Sequence, residues 1–125
     1  MKETLNLSPL AHTWIIDLDG TLLEHNGYKT GKDQWLPGAL EFLRSIPAED
    51  AIIFLTAREE GARKITEDFL ARHGITYRDI HFEMPMGERI LINDDKPSGL
   101  PCAHSVRVER NAGLENFNFA VDSEL

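Results

Sequence analysis

The sequence predicts an α/β domain built on a mostly parallel sheet, and three observations carry that expectation. Short, nearly continuous apolar runs recur along the chain, two segments between them have helical periodicity, and polar, largely acidic residues stand directly after the runs. Runs of four or five residues without polar alternation fit strands buried on both faces, the pattern of parallel sheets. Strands alternating with helices form βαβ units with right-handed crossovers.

The first run, Trp14-Ile15-Ile16, leads into Asp17-Leu18-Asp19-Gly20-Thr21, and a polar loop from Leu22 to Pro37 comes next. Pro37 suits the first turn of a helix whose apolar face is Ala39, Leu40, Phe42, Leu43 and Ile46, stopped by Pro47. The second run, Ala51 to Leu55, ends at Thr56. A second helix is expected from about Glu59 to His73, because Ala62, Ile65, Phe69 and Leu70 share a face and Gly74 suits a left-handed cap. Asp79-Ile80-His81-Phe82 is a short strand candidate. Arg89-Ile90-Leu91-Ile92 reads as a further long strand ending at Asn93-Asp94-Asp95, and Ser105-Val106-Arg107-Val108 as the last and weakest. The tail, residues 111–125, holds Phe117 and Phe119 without a clear period and is left unassigned. The chain reads as one domain over residues 1–125 with its core at about 13–110.

Length and composition bound the function classes. A chain of 125 residues with 42% apolar and 27% charged residues can bury a core without disulfide or structural metal. Its formal net charge of −8 repels phosphate backbones and anionic lipid, so nucleic-acid and membrane-surface roles are disfavoured, while one small anion in a local pocket is not. The single cysteine, Cys102, excludes an internal disulfide and fits a reducing compartment. No apolar run is long enough to span a membrane, and the N-terminus lacks the basic-then-apolar build of a signal peptide. The expectation is a soluble, cytoplasmic protein.

Ligands of open α/β sheets bind beyond the carboxyl ends of the strands, which singles out the residues just after each run. In extended chain Asp17 and Asp19 point to the same side while Leu18 points away, and Gly20 permits the tight turn after them. Two carboxylates so close repel, so one holds a proton or a cation sits between them, as suits a nucleophile with a general acid or a divalent-cation site. Alone, Asp-x-Asp is more often a solvated turn; directly after a buried strand, stranded charge makes that reading costly. Thr56 offers a hydroxyl for phosphate oxygens or for a helix N-cap. Asp94 and Asp95 are hard oxygen donors of the kind Mg²⁺ takes, or else an acidic turn before Pro97.

Asp17-Leu18-Asp19-Gly20-Thr21, the strand ending in Thr56 and the strand ending in Asp94-Asp95 together resemble three motifs of the haloacid dehalogenase-like (HAD) phosphatase superfamily, in the family's order. The resemblance covers about residues 13–110 and implies a three-layer Rossmann-like core with helices on both faces of the sheet. It implies that Asp17 is the nucleophile forming an aspartyl-phosphate and that Asp19 is the acid and later base. Thr56 and Gly20 are implied as phosphate-binding residues, and Asp17, the Asp19 backbone carbonyl, Asp94 and Asp95 as the surroundings of a Mg²⁺ ion. The implied activity is hydrolysis of a small phosphomonoester, such as a sugar phosphate, by covalent catalysis.

Two departures from the family's pattern shape this expectation. The basic residue that neutralises the phosphate has no obvious counterpart after Asp79–Phe82, where Glu83, Met84 and Pro85 stand. A strand beginning at Arg89 would put that side chain about 16 Å from the site, so Lys96 first and Arg58 second are the expected phosphate-binding cations. The intervals also leave no room for a cap domain, which suggests a neighbouring subunit of a homo-oligomer as the lid. Tyr28 and Trp35, near Lys29 and Lys32, stack on a substrate or anchor their loop to the core. Two other classes remain open: a non-catalytic phosphate- or metal-binding regulator, and a response-regulator receiver, whose phosphorylated Asp comes after a middle strand.

Overall fold

A computed structural model describes residues 3–125. Over the described residues the architecture is α/β: five strands in two sheets, every strand pair parallel, with two short α-helices. In chain order these are β1 (Glu3–Leu7), β2 (Thr13–Asp17), α1 (Ala39–Ser45), β3 (Ala51–Leu55), α2 (Arg63–Arg72), β4 (Asp79–His81) and β5 (Phe117–Val121).

The three-stranded sheet runs β2-β3-β4, in sequence order. Right-handed crossovers between consecutive neighbours place both connecting helices on one face, and burial agrees. Trp14 and Ile16 pair with Ile52 and Phe54, and Phe54 with Ile80. These residues meet Phe42 and Leu43 of α1 and Phe69 and Leu70 of α2 in one apolar cluster. The alternate residues of the sheet stay wetter: Ile15 is 49% exposed, Ile53 and Leu55 are half-buried, and Asp79 and His81 are exposed. The sheet is thus covered on one face where the family resemblance implies helices on both.

α1 starts at Ala39 behind Gly38, slightly later than the expected Pro37, and Ile46 caps it. A short 3-10 turn, Glu60–Ala62, precedes α2. Thr66, Phe69 and Leu70 are its buried residues, whereas Ile65, assigned to the apolar face from spacing, is 44% exposed.

The unassigned tail forms β5, which pairs with β1 as a second sheet. Phe117 and Phe119 pack on Phe42, and Phe119 also on Trp14 at 4.8 Å between centroids. The expected strands at Arg89–Ile92 and Ser105–Val108 are absent: both segments are irregular, with Ile90 83% and Ile92 90% exposed. A strand exists only with a hydrogen-bonded partner, and here the outer edge of β2 has none among the described residues. Flanking Pro85, Gly87, Pro97, Gly99 and Pro101 disfavour extended pairing at both ends of the first segment.

The amino end of the sheet is pinned by Asp50. Its carboxylate accepts the His12 backbone N–H (3.0 Å) and the Trp14 indole N–H (2.9 Å) and faces His12 Nδ1 at 2.9 Å, while His12 Nε2 lies 2.9 Å from the Ser8 carbonyl oxygen. Burial works against the charge, but the bonds from Trp14 and His12 outweigh it and hold the carboxyl below the usual aspartate range.

These contacts set the response to acid and to substitution. A group with a lowered folded-state pKa contributes stability that is complete above its unfolded value, about 3.9, and is lost as pH falls through the folded value. Urea midpoints measured on acidification should therefore drop for the wild type, and Asp50→Asn should flatten that part of the curve. Gly113 has φ +84°, and a Cβ there would collide with the Pro37 carbonyl oxygen. Gly113→Ala should cost about 2 kcal/mol or more, whereas Gly61→Ala, with open space around it, should leave the midpoint near wild type.

Candidate functional site

The site lies at the carboxyl ends of β2 and β3, where the polar residues after the two best apolar runs come side by side. Asp17 pairs in register with Leu55, so Asp17 and Thr56 leave adjacent strands at the same level. The chain then turns sharply: the Leu18 carbonyl accepts the N–H groups of Thr21, Leu22 and Leu23, and Gly20, at φ +84°, donates to Leu23 at 2.7 Å. Only glycine takes that conformation without strain. Leu18, Leu22 and Leu23 are fully buried beneath the turn and hold Asp17 and Asp19 over the core.

Asp17 is about one-third exposed. Its Oδ2 accepts the Thr21 hydroxyl at 2.9 Å, and Arg89 NH1 reaches Oδ1 at 3.4 Å. This overturns the expected separation of about 16 Å. That distance assumed a strand from Arg89 to Ile92; with no strand there, the segment crosses near the end of β2 and brings the guanidinium to the carboxylate.

Arg58 is 1% exposed and takes no part in an open surface. Its Nε and NH2 donate to both oxygens of Asp19 (2.9 and 2.8 Å), and NH1 and NH2 donate to both oxygens of Asp33 (3.1 and 2.8 Å). NH1 also donates to the Thr66 hydroxyl at 2.7 Å, and the Tyr28 ring lies 4.2 Å from the guanidinium carbon. Desolvation opposes its charge, but the hydrogen bonds and charges of Asp19 and Asp33 prevail and raise its pKa. Burial chiefly, then the charges of Asp19 and Glu59, push the Tyr28 phenol up. Arg58, expected at a phosphate, is instead committed to two carboxylates.

Thr56 is 1% exposed, and its hydroxyl oxygen accepts the Arg58 backbone N–H at 3.1 Å while its own N–H extends the ladder to the His81 carbonyl. It therefore fixes the entry of the chain toward Arg58, with its hydroxyl proton left to donate. The Gly20 N–H is spent within its turn, so that residue shapes the site without offering this donor. Asp94, Asp95 and Lys96 lie on an exposed irregular segment, and Lys96 closes only a local turn with Gly99 and Leu100. Among the described residues no group of three or more His, Cys, Asp or Glu side chains is gathered to hold a metal ion. The Asp17 carboxylate and Asp19 carbonyl are suitable hard donors, but the set expected with Asp94 and Asp95 does not assemble.

Tyr28 and Trp35 both serve as anchors. Trp35 packs on Phe69 at 5.3 Å and His73 at 5.5 Å, and Tyr28 on Arg58. Four further residues at the site escape sequence reasoning: Asp33, Thr66, Arg110 and Asn111. Asn111 N–H donates to the Gly20 carbonyl at 2.8 Å, and the Arg110 stem runs along Gly20. The only local signal is Thr66, a hydroxyl set within the apolar face of a helix beside Phe69 and Leu70, where a buried partner is required.

Removing the guanidinium would leave Asp19 and Asp33 with uncompensated buried charge. Arg58→Ala should lower stability by about 3–5 kcal/mol in urea titrations, and Arg58→Lys should restore little, since an ammonium cannot fork to two carboxylates. A loss below about 1 kcal/mol would mean that water replaces the guanidinium freely. Comparison of the whole chain with family models, characterised proteins and solved structures finds no match.

Proposed function

We propose that the chain is a capless HAD-like phosphatase that hydrolyses a small phosphomonoester, a phosphorylated metabolite such as a sugar phosphate, through an aspartyl-phosphate on Asp17. The observation that carries this reading is the pairing of a partly exposed carboxylate at a strand end with an arginine, beside a second carboxylate two residues on. A cytoplasmic setting and a homo-oligomer that covers the open site belong to this proposal.

In the first step an Asp17 oxygen attacks phosphorus and the P–O ester bond breaks. The leaving oxygen takes a proton from Asp19, and Arg89 offsets the charge between the carboxylate and the phosphate. Both Asp19 oxygens accept from Arg58 in the resting structure, so Asp19 acts as the acid only after one oxygen leaves the guanidinium and takes a proton, while Asp33 keeps Arg58 paired. In the second step Asp19 takes a proton from water, the hydroxyl oxygen attacks phosphorus, and Asp17 is released with inorganic phosphate. Mg²⁺ enters this reading through the resemblance alone. The donors Asp17, Asp94 and Asp95 are not assembled around one point, and neither step is routed through the ion.

That scattered donor set also favours a second reading, a phosphate-binding regulator that does not turn over. Assays on generic phosphoesters with and without Mg²⁺ separate the two. Hydrolysis lost in Asp17→Asn, and reduced about 10²–10³-fold in Arg89→Ala as expected for a lost transition-state donor, supports the phosphatase. Calorimetric binding of phosphate with no hydrolysis of any ester supports the regulator.

A further inference from the structure

We infer that Arg110, held by His25 and Asn111, is a specificity residue that recognises a second anionic group of the substrate, a carboxylate or a further phosphate, on the leaving-group side of Asp19. The inference rests on the phosphatase reading and names the substrate class for it.

The turn that carries Arg110 is clamped at two points, one on the Asp-Gly-Thr bend and one in the loop after it. Asn111 N–H donates to the Gly20 carbonyl at 2.8 Å, and Asn111 Oδ1 accepts the His25 backbone N–H at 2.9 Å. Asn111 makes both contacts from a left-handed conformation, φ 64°, which asparagine tolerates better than most residues. The clamp lays the Arg110 side chain across Gly20: a Cβ on Gly20 would stand 3.2 Å from Arg110 Cγ and 3.9 Å from Cδ and Nε. The glycine thus serves the tight turn and also the passage of the arginine over it.

The guanidinium is held without being neutralised. Arg110 NH1 lies 3.2 Å from His25 Nε2. Arginine can only donate, so Nε2 accepts and the imidazole carries its proton on Nδ1. That Nδ1 is buried and has no hydrogen-bond partner among the described residues, so the ring offers the substrate nothing itself and serves to hold the guanidinium. Among the described residues no carboxylate pairs with Arg110, although acidic residues outnumber basic ones 21 to 13. Arg110 is an exposed residue.

Position then assigns the role. Arg89 meets Asp17, where the transferred phosphoryl group attaches, and Arg110 overlies Gly20, directly after the residue that handles the leaving oxygen. A planar fork of donors suits the two oxygens of a carboxylate or phosphate. An anion at that point is one joined to the leaving group.

Three esters of similar length test this: ethyl phosphate, phosphoglycolate and ethylene bisphosphate, with kcat/KM and calorimetric affinity measured for wild type, Arg110→Ala and Arg110→Lys. The wild type should favour the two esters with an added charge by roughly tenfold to a hundredfold, the range for hydrogen bonds to a charged group. Arg110→Ala should bring that preference below about threefold, and Arg110→Lys should keep part of it because the charge remains. Preference for phosphoglycolate over the bisphosphate, or the reverse, identifies the carboxylate or phosphate source. A fall shared equally by all three esters in Arg110→Ala, or equal binding of all three by the wild type, overturns the inference. Discriminating binding without hydrolysis supports the anion site and removes the phosphatase reading; hydrolysis without discrimination does the opposite.

Discussion

The buried guanidinium of Arg58 is the contact on which the candidate site depends. Moving a full charge out of water costs several kcal/mol unless its donors are met, and here segments distant in sequence meet them. Asp19 comes from the bend after β2, Tyr28 and Asp33 from the polar loop, Thr66 from α2, and Arg58 itself from the exit of β3. The loop from Leu22 to Pro37 has little regular structure of its own, yet it is drawn over the sheet end because its Asp33 is needed there. Two carboxylates on one cation also leave the cluster with a net negative charge, which makes the position of Asp19 sensitive to how Arg58 divides its hydrogen bonds.

Asp50 performs the corresponding task at the other end of the sheet. It stands immediately before β3 and binds His12 and Trp14 at the start of β2, while Arg58 stands just beyond β3 and binds Asp19 just beyond β2. The two polar clusters bracket a five-residue parallel pairing whose interior is apolar. Parallel pairing gives no tight hairpin to set register, so side-chain pins at both ends, together with alternation of buried residues, hold Asp17 opposite Leu55. That register is what sets Asp17 beside the exit of β3.

Much of this was legible in the chain. Apolar runs that stop abruptly at Asp17 and Thr56 identified β2 and β3, the short candidate Asp79–Phe82 covered β4, and helical spacing placed α1 and α2 to within a few residues. The acidic pair at Asp17 and Asp19 was legible for the same reason, since a strand end exposes the residues just beyond it. The segment Arg89–Ile92 misled because an apolar run specifies only that a residue prefers burial, not that a strand edge is there to receive it. With Ile90 and Ile92 in water, the distance assigned to Arg89 fell with the strand. The partners of Arg58 and Gly20 were invisible for another reason: Asp33 and Asn111 sit in stretches without period, and their contacts span 25 and more residues of chain.

The acidic balance of the protein gains a physical meaning from how its arginines are spent. Arg58 is fully used, and Arg63 is engaged with Glu60 and Glu67 at the surface. Arg89 rests on the one carboxylate that a nucleophilic role would leave open, at the long distance of 3.4 Å, and Arg110 rests on the His25 ring. A net charge of −8 sets the field at long range, but at the scale of one ligand salt screens it within about 8–10 Å. Within that radius the Asp-Gly-Thr bend has two arginines in reach whose hydrogen-bonding capacity is not exhausted. In the proposed phosphatase these arginines receive a small isolated anion, whereas a polyanion would extend into the surrounding negative surface and be repelled along its length.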